Sequence, residues 1–303
     1  MTVCNVQEAA DIQYHLGLTY SASLDGDRQS NLKRAIACFQ EALNVFTYEA
    51  FPENWADIQL NMGNAYRKLL NGERQVNLSK AITCYEGALE IYTREAYPEK
   101  WAETLHNLGN AYASIHGGDE QATLKYAIGC FEAALEFYTL ETYPLEWART
   151  HHNLGNACYN LLGDNEQANL ETAIEHFKEA LKLYNREDFP IDWARTQHNL
   201  GNAYSIVSSE NLQNNLLKAV ASYEAALKVF TRDMLPVDWA VTQYNRGNAY
   251  RDLLVGDRET NLRNATLCYQ AALYIFRSHY MEAHIKRVMK DLNKVQDALR
   301  SLG

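Results

Sequence analysis

The chain has 303 residues, of which 47% are hydrophobic and 22% charged, with only 5 prolines and 15 glycines. This composition is typical of a globular protein and far from that of a disordered chain. The 38 acidic residues outnumber the 28 basic ones and give a formal net charge of −10. Since gripping phosphates nonspecifically needs a positive surface, nucleic acid is not expected as the main partner.

The sequence carries no signal for a membrane or for export. It has no apolar run of about 18 residues, so we expect no membrane span and no membrane partner. Its N-terminus lacks a basic start followed by an apolar block, so no secretion signal is predicted. The six cysteines are too few and too evenly spread for a disulfide scaffold. The simplest prediction is a cytoplasmic protein.

Three residue types recur at one spacing along the chain, which indicates an internal repeat of 46 residues. Every tryptophan and every proline belongs to this lattice, and a series of six glycines follows the same step. The members are Trp55, Trp101, Trp147, Trp193 and Trp239; Pro52, Pro98, Pro144, Pro190 and Pro236; and Gly17, Gly63, Gly109, Gly155, Gly201 and Gly247.

Each repeat is predicted to hold two helices. The first begins at the proline, which is tolerated in an opening turn, and carries an apolar stripe at helical spacing, as at Trp147, His151, Leu154 and Cys158. A glycine in the middle of a helix costs about 1 kcal/mol relative to alanine. Six of them predict a neighbouring helix that crosses at close range.

The second helix is predicted to open at a residue whose side chain caps free N–H groups. These residues are Asn31, Asn77, Thr123, Asn169, Asn215 and Asn261, and a leucine follows each of them. Alanines, an aromatic residue and a final Ala-Leu complete the helical apolar pattern.

The whole chain is therefore predicted to be all-α, a right-handed α-solenoid of six helix-turn-helix repeats in one domain, 1–303. The repeats lie at about 5–50, 51–96, 97–142, 143–188, 189–234 and 235–280. Both ends depart from the lattice, as the ends of a stacked array should: Ala9 stands in place of the first tryptophan, and Glu282 and Ile285 replace the last proline and tryptophan. Residues 281–300 are predicted to form a capping helix over repeat six.

The motifs Asn-Leu-Gly-Asn-Ala-Tyr in the first helix and Ala-Ile…Tyr-Glu-Ala-Leu in the second resemble the tetratricopeptide repeat, whose usual unit is about 34 residues. The longer unit is similar to the branch that includes kinesin light chain and the Leu-Gly-Asn repeat proteins, and to bacterial arrays attached to caspase-like proteases. The resemblance implies a superhelix whose inner face, lined by the first helices, holds a peptide or protein segment.

Two asparagine columns flank the glycine of the first helix at spacing i, i+3, so both side chains lie on one helical face. We call them the −2 asparagines (Asn61, Asn107, Asn153, Asn199 and Asn245) and the +1 asparagines (Asn64, Asn110, Asn156, Asn202 and Asn248). Asparagine is unfavourable inside a helix, so ten of them need a reason. The first repeat departs from the pattern, with His15 and Leu18 at these places.

Two interpretations stay open for these columns. In one, a column bonds carbonyl groups of the adjacent helix and locks the superhelix. In the other, the amides form a ladder that binds a peptide backbone, because an amide offers a donor and an acceptor together. The resemblance favours the ladder, with the +1 asparagines as the ligand contact and the −2 asparagines shared between the two roles.

Variable positions on the same face are predicted to set specificity. Arg149 and Arg195 with His152 and His198 would form a positive, protonatable patch that suits an acidic group in the partner. Solvated groove residues without a ligand are the alternative. The predicted peptide-binding residues are Asn64, Asn107, Asn110, Asn153, Asn156, Asn199, Asn202, Asn248, Arg149, Arg195, His152 and His198.

No catalytic, metal or cofactor site is predicted. His106, His152 and His198 lie one repeat apart, too far for shared zinc coordination. Cys38, Cys84, Cys130 and Cys268 share one column and are expected to be half-buried fillers. Arg246 and Thr266 replace apolar residues in repeat six, so either the core loosens there or a polar contact forms with the cap or another subunit.

The leading hypothesis is therefore a non-catalytic adaptor that binds a peptide or protein segment. The alternatives are a regulatory or docking subunit for a separately encoded effector enzyme, such as a caspase-like protease, and a homo-oligomeric scaffold.

Overall fold

A computed structural model describes residues 3–70, 73–161, 165–207 and 211–302. Every regular element among these residues is an α-helix, which confirms the predicted all-α class. The helices are α1 (Val3–Ala22), α2 (Arg28–Ala42), α3 (Pro52–Lys68), α4 (Arg74–Ile91), α5 (Pro98–Ala113), α6 (Glu120–Leu135), α7 (Pro144–Asn160), α8 (Glu166–Leu183), α9 (Pro190–Ile206), α10 (Leu212–Ala226), α11 (Pro236–Asp252), α12 (Arg258–Ser278) and α13 (Glu282–Arg300).

The first helix of repeats two to six begins at its proline, as predicted. Proline fits there because its fixed φ suits the first turn and its missing N–H would have no partner inside the helix. The preceding residue is apolar in each case, such as Phe51 before α3 and Tyr97 before α5.

The second helices begin one turn earlier than predicted. Asp27, Asp119 and Asp257 are the capping residues, and each carboxylate accepts a hydrogen bond from the backbone N–H three residues later. The predicted cap positions lie four residues further on, inside the helix. There Asn31 and Asn261 are buried, and their amide groups donate to carbonyl oxygens of the connector, Asp25 at 2.7 Å and Val255 at 2.9 Å. This column fastens the turn between the helices rather than capping the second one.

The mid-helix glycines mark the predicted close crossing. An aromatic ring from the second helix of the same repeat lies directly over each described one. A Cβ placed on Gly109 would be 2.8 Å from Phe131 Cε1, and one on Gly201 would be 2.7 Å from Tyr223 Cε1. Real Cβ atoms do not approach so closely, so only glycine leaves room for the ring.

The chain divides into two compact units, Met1–Ala157 and Cys158–Gly303. The core of the N-terminal unit runs from α1 to α5 and is built on fully buried rings and aliphatic side chains, including Phe39, Tyr85 and Leu60. In the C-terminal unit, Tyr269 and Phe276 of α12 pack with Val288 and Val295 of α13. The helix α13 therefore covers the last helix pair, as predicted for residues 281–300.

Candidate functional site

Three of the +1 asparagines are oriented by a tyrosine of the second helix in the same repeat. The hydroxyl of Tyr85 donates to Asn64 Oδ1 at 2.8 Å, and that of Tyr223 donates to Asn202 Oδ1 at 2.9 Å. Tyr269 and Asn248 form the same bond at 2.8 Å. The carbonyl end of these amides therefore points to the protein's own second helix.

The −2 asparagines link neighbouring repeats. Asn153 Nδ2 donates to Asn110 Oδ1 at 2.8 Å, and Asn245 Nδ2 donates to Asn202 Oδ1 at 2.9 Å. In repeat two, where the preceding repeat has no +1 asparagine, Asn61 Nδ2 donates instead to the Asp57 carbonyl at 2.8 Å. Asn153 and Asn245 therefore join adjacent first helices, which is the kind of contact expected if the −2 asparagines hold neighbouring repeats together.

The nitrogen end of three +1 asparagines is left available. Within the described ranges, the Nδ2 groups of Asn64, Asn110 and Asn202 have no hydrogen-bond acceptor, and all three residues are half-buried. These three amides therefore present N–H donors, whereas we had expected a donor and an acceptor together. Their oxygens accept hydrogen bonds from within the protein.

A second ladder, of threonine and histidine, was not predicted. His106 Nδ1 lies 2.8 Å from Thr150 Oγ1, and His198 Nδ1 lies 2.8 Å from Thr242 Oγ1. Each threonine gives its single hydroxyl hydrogen to the carbonyl four residues earlier, at 2.7 Å. The histidine nitrogen must then be the donor, which fixes the Nδ1–H tautomer.

The signal for this ladder is visible in the sequence. A threonine stands five residues before the glycine in four successive repeats, and all four are fully buried: Thr104, Thr150, Thr196 and Thr242. A polar residue repeated at one register inside a predicted helix indicates a fixed hydrogen-bond partner.

The histidines do not supply the expected positive charge. Burial, reinforced by Arg149 and Arg67, lowers the pKa of His106 to about 3. Burial likewise lowers the pKa of His198 to about 4. Because both rings are neutral at pH 7, the prediction of a protonatable patch is wrong for His198.

The remaining predicted residues occupy first helices of the two units. Arg149 on α7 and Arg195 on α9 are exposed, and neither has a carboxylate within ion-pair distance in the described part of the chain. The other four are half-buried: Asn107, His152, Asn156 and Asn199.

A polar pocket of about 600 Å³ opens in the N-terminal unit between α3, α5 and α7. Three predicted residues, Asn64, Asn107 and Arg149, line it together. Sequence reasoning missed several others, of which Arg67 and Glu103 are central to the charge of the pocket. The remaining lining residues are Lys68, Glu99, His106, Tyr138, Tyr143 and Glu146.

The two polar residues of repeat six, Arg246 and Thr266, have polar partners in the structure. Arg246 Nη1 lies 3.7 Å from Glu224 Oε1 on α10, and its Nε donates to Cys268 Sγ at 3.4 Å. Thr266 Oγ1 donates to the Leu262 carbonyl of its own helix at 3.0 Å. Arg246 therefore bridges two second helices, a polar contact with a different partner from the two that we had considered.

The described residues contain no cluster of histidine, cysteine and carboxylate side chains that could hold a metal. The described cysteines are free thiols. Burial raises the pKa of Cys84 to about 12 and, with Glu86, that of Cys130 to about 11, so these thiols are not activated nucleophiles. None of the described helices has the length and apolar character that crossing a membrane requires.

Comparison of the sequence with protein-family models and with curated proteins gives no match. The solved structures that are similar in fold include the following two. One is the APC/C hetero-tetramer Cut9–Hcn1, with 16% identity and a TM-score of 0.50, covering 94% of this chain and 47% of that chain. The other is a Rap protein complexed with Competence and Sporulation Factor, with 15% identity and a TM-score of 0.51, covering 99% and 79%.

Both structures are tetratricopeptide-type helical repeat proteins, so the fold of this chain is tetratricopeptide-like. The chain spans about half the length of the first of them. Neither comparison singles out the branch with longer repeats, and that part of the resemblance stays a prediction.

Proposed function

We propose that the chain is a non-catalytic adaptor that binds a peptide segment of a protein partner through the amide nitrogens of three +1 asparagines, Asn64 and Asn110 in the N-terminal unit and Asn202 in the C-terminal unit. The observation that carries this proposal is the fixed orientation of these amides. In Asn64, Asn110 and Asn202 the oxygen accepts an internal hydrogen bond while the nitrogen has no acceptor among the described residues. A half-buried donor without a partner gains most from an acceptor supplied by a ligand.

Peptide carbonyl oxygens suit such donors. Packed helices lie roughly 10 Å apart, and an extended chain advances about 3.3 Å per residue. Successive first helices would therefore meet about every third carbonyl group of a bound segment. Contacts to the backbone alone give affinity with little sequence preference, so specificity must come from neighbouring side chains.

The tetratricopeptide-like neighbours support a partner of this class. One neighbour is described as a hetero-tetramer of Cut9 and Hcn1, and the other as a Rap protein complexed with Competence and Sporulation Factor. A cytoplasmic location belongs to the same proposal and is supported by the unpaired thiols of the described cysteines.

The test replaces the three asparagines together, as Asn64→Ala, Asn110→Ala and Asn202→Ala. A randomised 12-residue peptide library, displayed on phage and selected on the full chain, supplies the ligands, and fluorescence polarisation measures Kd. Each lost hydrogen bond is worth about 0.5–1.5 kcal/mol, so the triple variant should bind more than about tenfold more weakly.

The matched control is Asn61→Ala, because the Asn61 nitrogen already donates to Asp57 and to Tyr14. This variant should keep the parental Kd. Circular dichroism should show the same helicity for all variants. A triple variant with parental affinity and parental helicity would refute the amide ladder, and light scattering on the same samples would reveal a homo-oligomeric scaffold.

A further inference from the structure

The pocket between α3, α5 and α7 contains an arginine without a counter-ion. Arg67 lies at the end of α3, and its Nε is buried and has no hydrogen-bond partner. No carboxylate in the described part of the chain lies within ion-pair distance of it. Leaving a buried charged donor unpaired is costly, so an acceptor supplied from outside the chain would remove that cost.

The equivalent arginine of repeat six shows what this position accepts. Arg251 stands four residues after its glycine, as Arg67 does, and no other repeat has arginine there. Asp291, which follows Arg251 by 40 residues, places Oδ1 3.4 Å from the Arg251 guanidinium. The residue 40 positions after Arg67 is Asn107, so a neutral amide occupies the place of that carboxylate.

The neighbours of Arg67 make this side of the pocket positive. Arg149 and Lys68 line it, and both Arg149 and Arg67 oppose protonation of His106. The Nδ1–H of His106 is used by Thr150, so the ring adds no charge. With the free amide nitrogen of Asn64, this side can bind one carboxylate through charge-assisted hydrogen bonds.

Another part of the wall is negative. Glu99, Glu103 and Glu146 line it, and burial raises the pKa of Glu103, with Asp57, Glu99 and Glu146 adding to the effect and Lys100 opposing it. The ammonium group of Lys100 lies 3.1 Å from Asp57 Oδ1 and is already paired. A wholly acidic segment would meet repulsion here, whereas a cationic side chain would relieve it.

We propose that this pocket is a mixed-charge subsite that takes an acidic side chain at Arg67 and a neighbouring basic side chain at the glutamates. The proposal rests on the adaptor function above and names the partner chemistry of the same face. It replaces the simple acidic group expected from the sequence with an acidic and a basic group side by side.

The experiment uses the same 12-residue library and the full chain. Library selection should enrich peptides in which an acidic and a basic residue are close together. In a selected peptide, the acidic residue is changed to glutamine and Kd is measured with the parent and with Arg67→Gln. The peptide change alone and Arg67→Gln alone should each weaken binding about tenfold or more. The two changes together should weaken binding little more than either one alone.

The basic residue of the peptide is tested in the same way against Glu103→Gln, with Glu146→Gln as a second variant should the first affect folding. Arg251→Gln is the matched control, because Arg251 already has Asp291 and Asp252 as partners. Any effect of Arg251→Gln on Kd should be additive with the effect of either peptide change.

The outcomes separate the two proposals. If the charge substitutions act additively while the triple asparagine variant still weakens binding more than about tenfold, the mixed-charge subsite is overturned and the adaptor function stands. If only the acidic residue couples, through Arg67, the site is a plain anion site and the mixed-charge inference is overturned. If the library yields no binder, the adaptor function itself fails.

Discussion

Two glycines of repeat three allow a test, within one helix pair, of why glycine recurs in the middle of the first helices. Gly109 lies in α5 under the ring of Phe131, and a Cβ there would be 2.8, 2.9 and 3.0 Å from three ring atoms. Gly129 lies in α6, is exposed, and has no atom within 4 Å of the position that a Cβ would take. Alanine at either site carries the same gain in helix propensity, about 1 kcal/mol.

The two substitutions should therefore act in opposite directions. Gly129→Ala should stabilise the protein by about 0.5–1 kcal/mol, since only the backbone entropy changes. Gly109→Ala pushes a methyl group into Phe131, which is fully buried and cannot move aside freely. Overpacking costs about 1–3 kcal/mol. Three contacts at 3.0 Å or less place this case in the upper part of that range. After the gain of about 1 kcal/mol in helix propensity is subtracted, the net loss of stability is about 1–2 kcal/mol.

The assay is urea unfolding followed by circular dichroism, with the transition midpoints of the two variants compared because repeat arrays need not unfold in a single step. The double variant Gly109→Ala with Phe131→Leu should lose less stability than the sum of its two single changes, because the smaller leucine side chain leaves room for the alanine methyl group. A Gly109→Ala protein as stable as Gly129→Ala would refute the steric explanation.

Three further predictions concern the buried polar contacts. Thr150→Val should lower the free energy of unfolding by about 1–3 kcal/mol, because it leaves the His106 Nδ1–H without an acceptor. Thr104 has no histidine partner among the described residues, so Thr104→Val should lower it less in the same urea titration. Folding lowers the pKa of His106 from 6.5 to about 3, so as the pH falls the unfolded chain is protonated at this residue before the folded protein is. The free energy of unfolding should therefore fall as pH drops from about 6.5 toward 3, by up to about 1.4 kcal/mol per pH unit. His106→Leu should remove this part of the pH dependence, and a variant with an unchanged pH profile would contradict the explanation. Asp291→Asn removes a carboxylate of α13 that lies 3.4 Å from Arg251 and accepts a hydrogen bond from Tyr244 at 2.8 Å, while Arg251 keeps its contact with Asp252. We therefore expect a loss of about 1–3 kcal/mol and faster amide exchange in α13. Exchange equal to that of the parent would show that Asp291 does not hold the cap.

Much of the fold could be predicted because single residue types recur at one register. Pro98 begins α5 and Glu282 begins α13 within a residue of the predicted bounds. The asparagine column at Asn31 and Asn261 was misplaced because asparagine is favoured both as a cap and in connectors. Local propensity does not distinguish a side chain that caps its own helix from one that reaches a carbonyl six residues back.

The candidate site was predicted only in part, for a physical reason. Asn64, Asn107 and Arg149 were named and do line one pocket. Arg67 was not among the predicted site residues, because its significance depends on the lack of a carboxylate nearby. The contrast with Arg251 and Asp291 becomes visible only when residues 40 apart are placed side by side.

The sequence alone determined the repeat length, the helical class and the face that carries the asparagines, since these follow from spacing along the chain and the periodicity of a helix. For the described residues, the tertiary structure decided that the nitrogen ends of Asn64, Asn110 and Asn202 are free, that the rings of His106 and His198 stay neutral, and that Arg67 lacks a counter-ion. Those properties depend on contacts of about 3 Å between side chains from different helices, and on how much water burial removes from each charge.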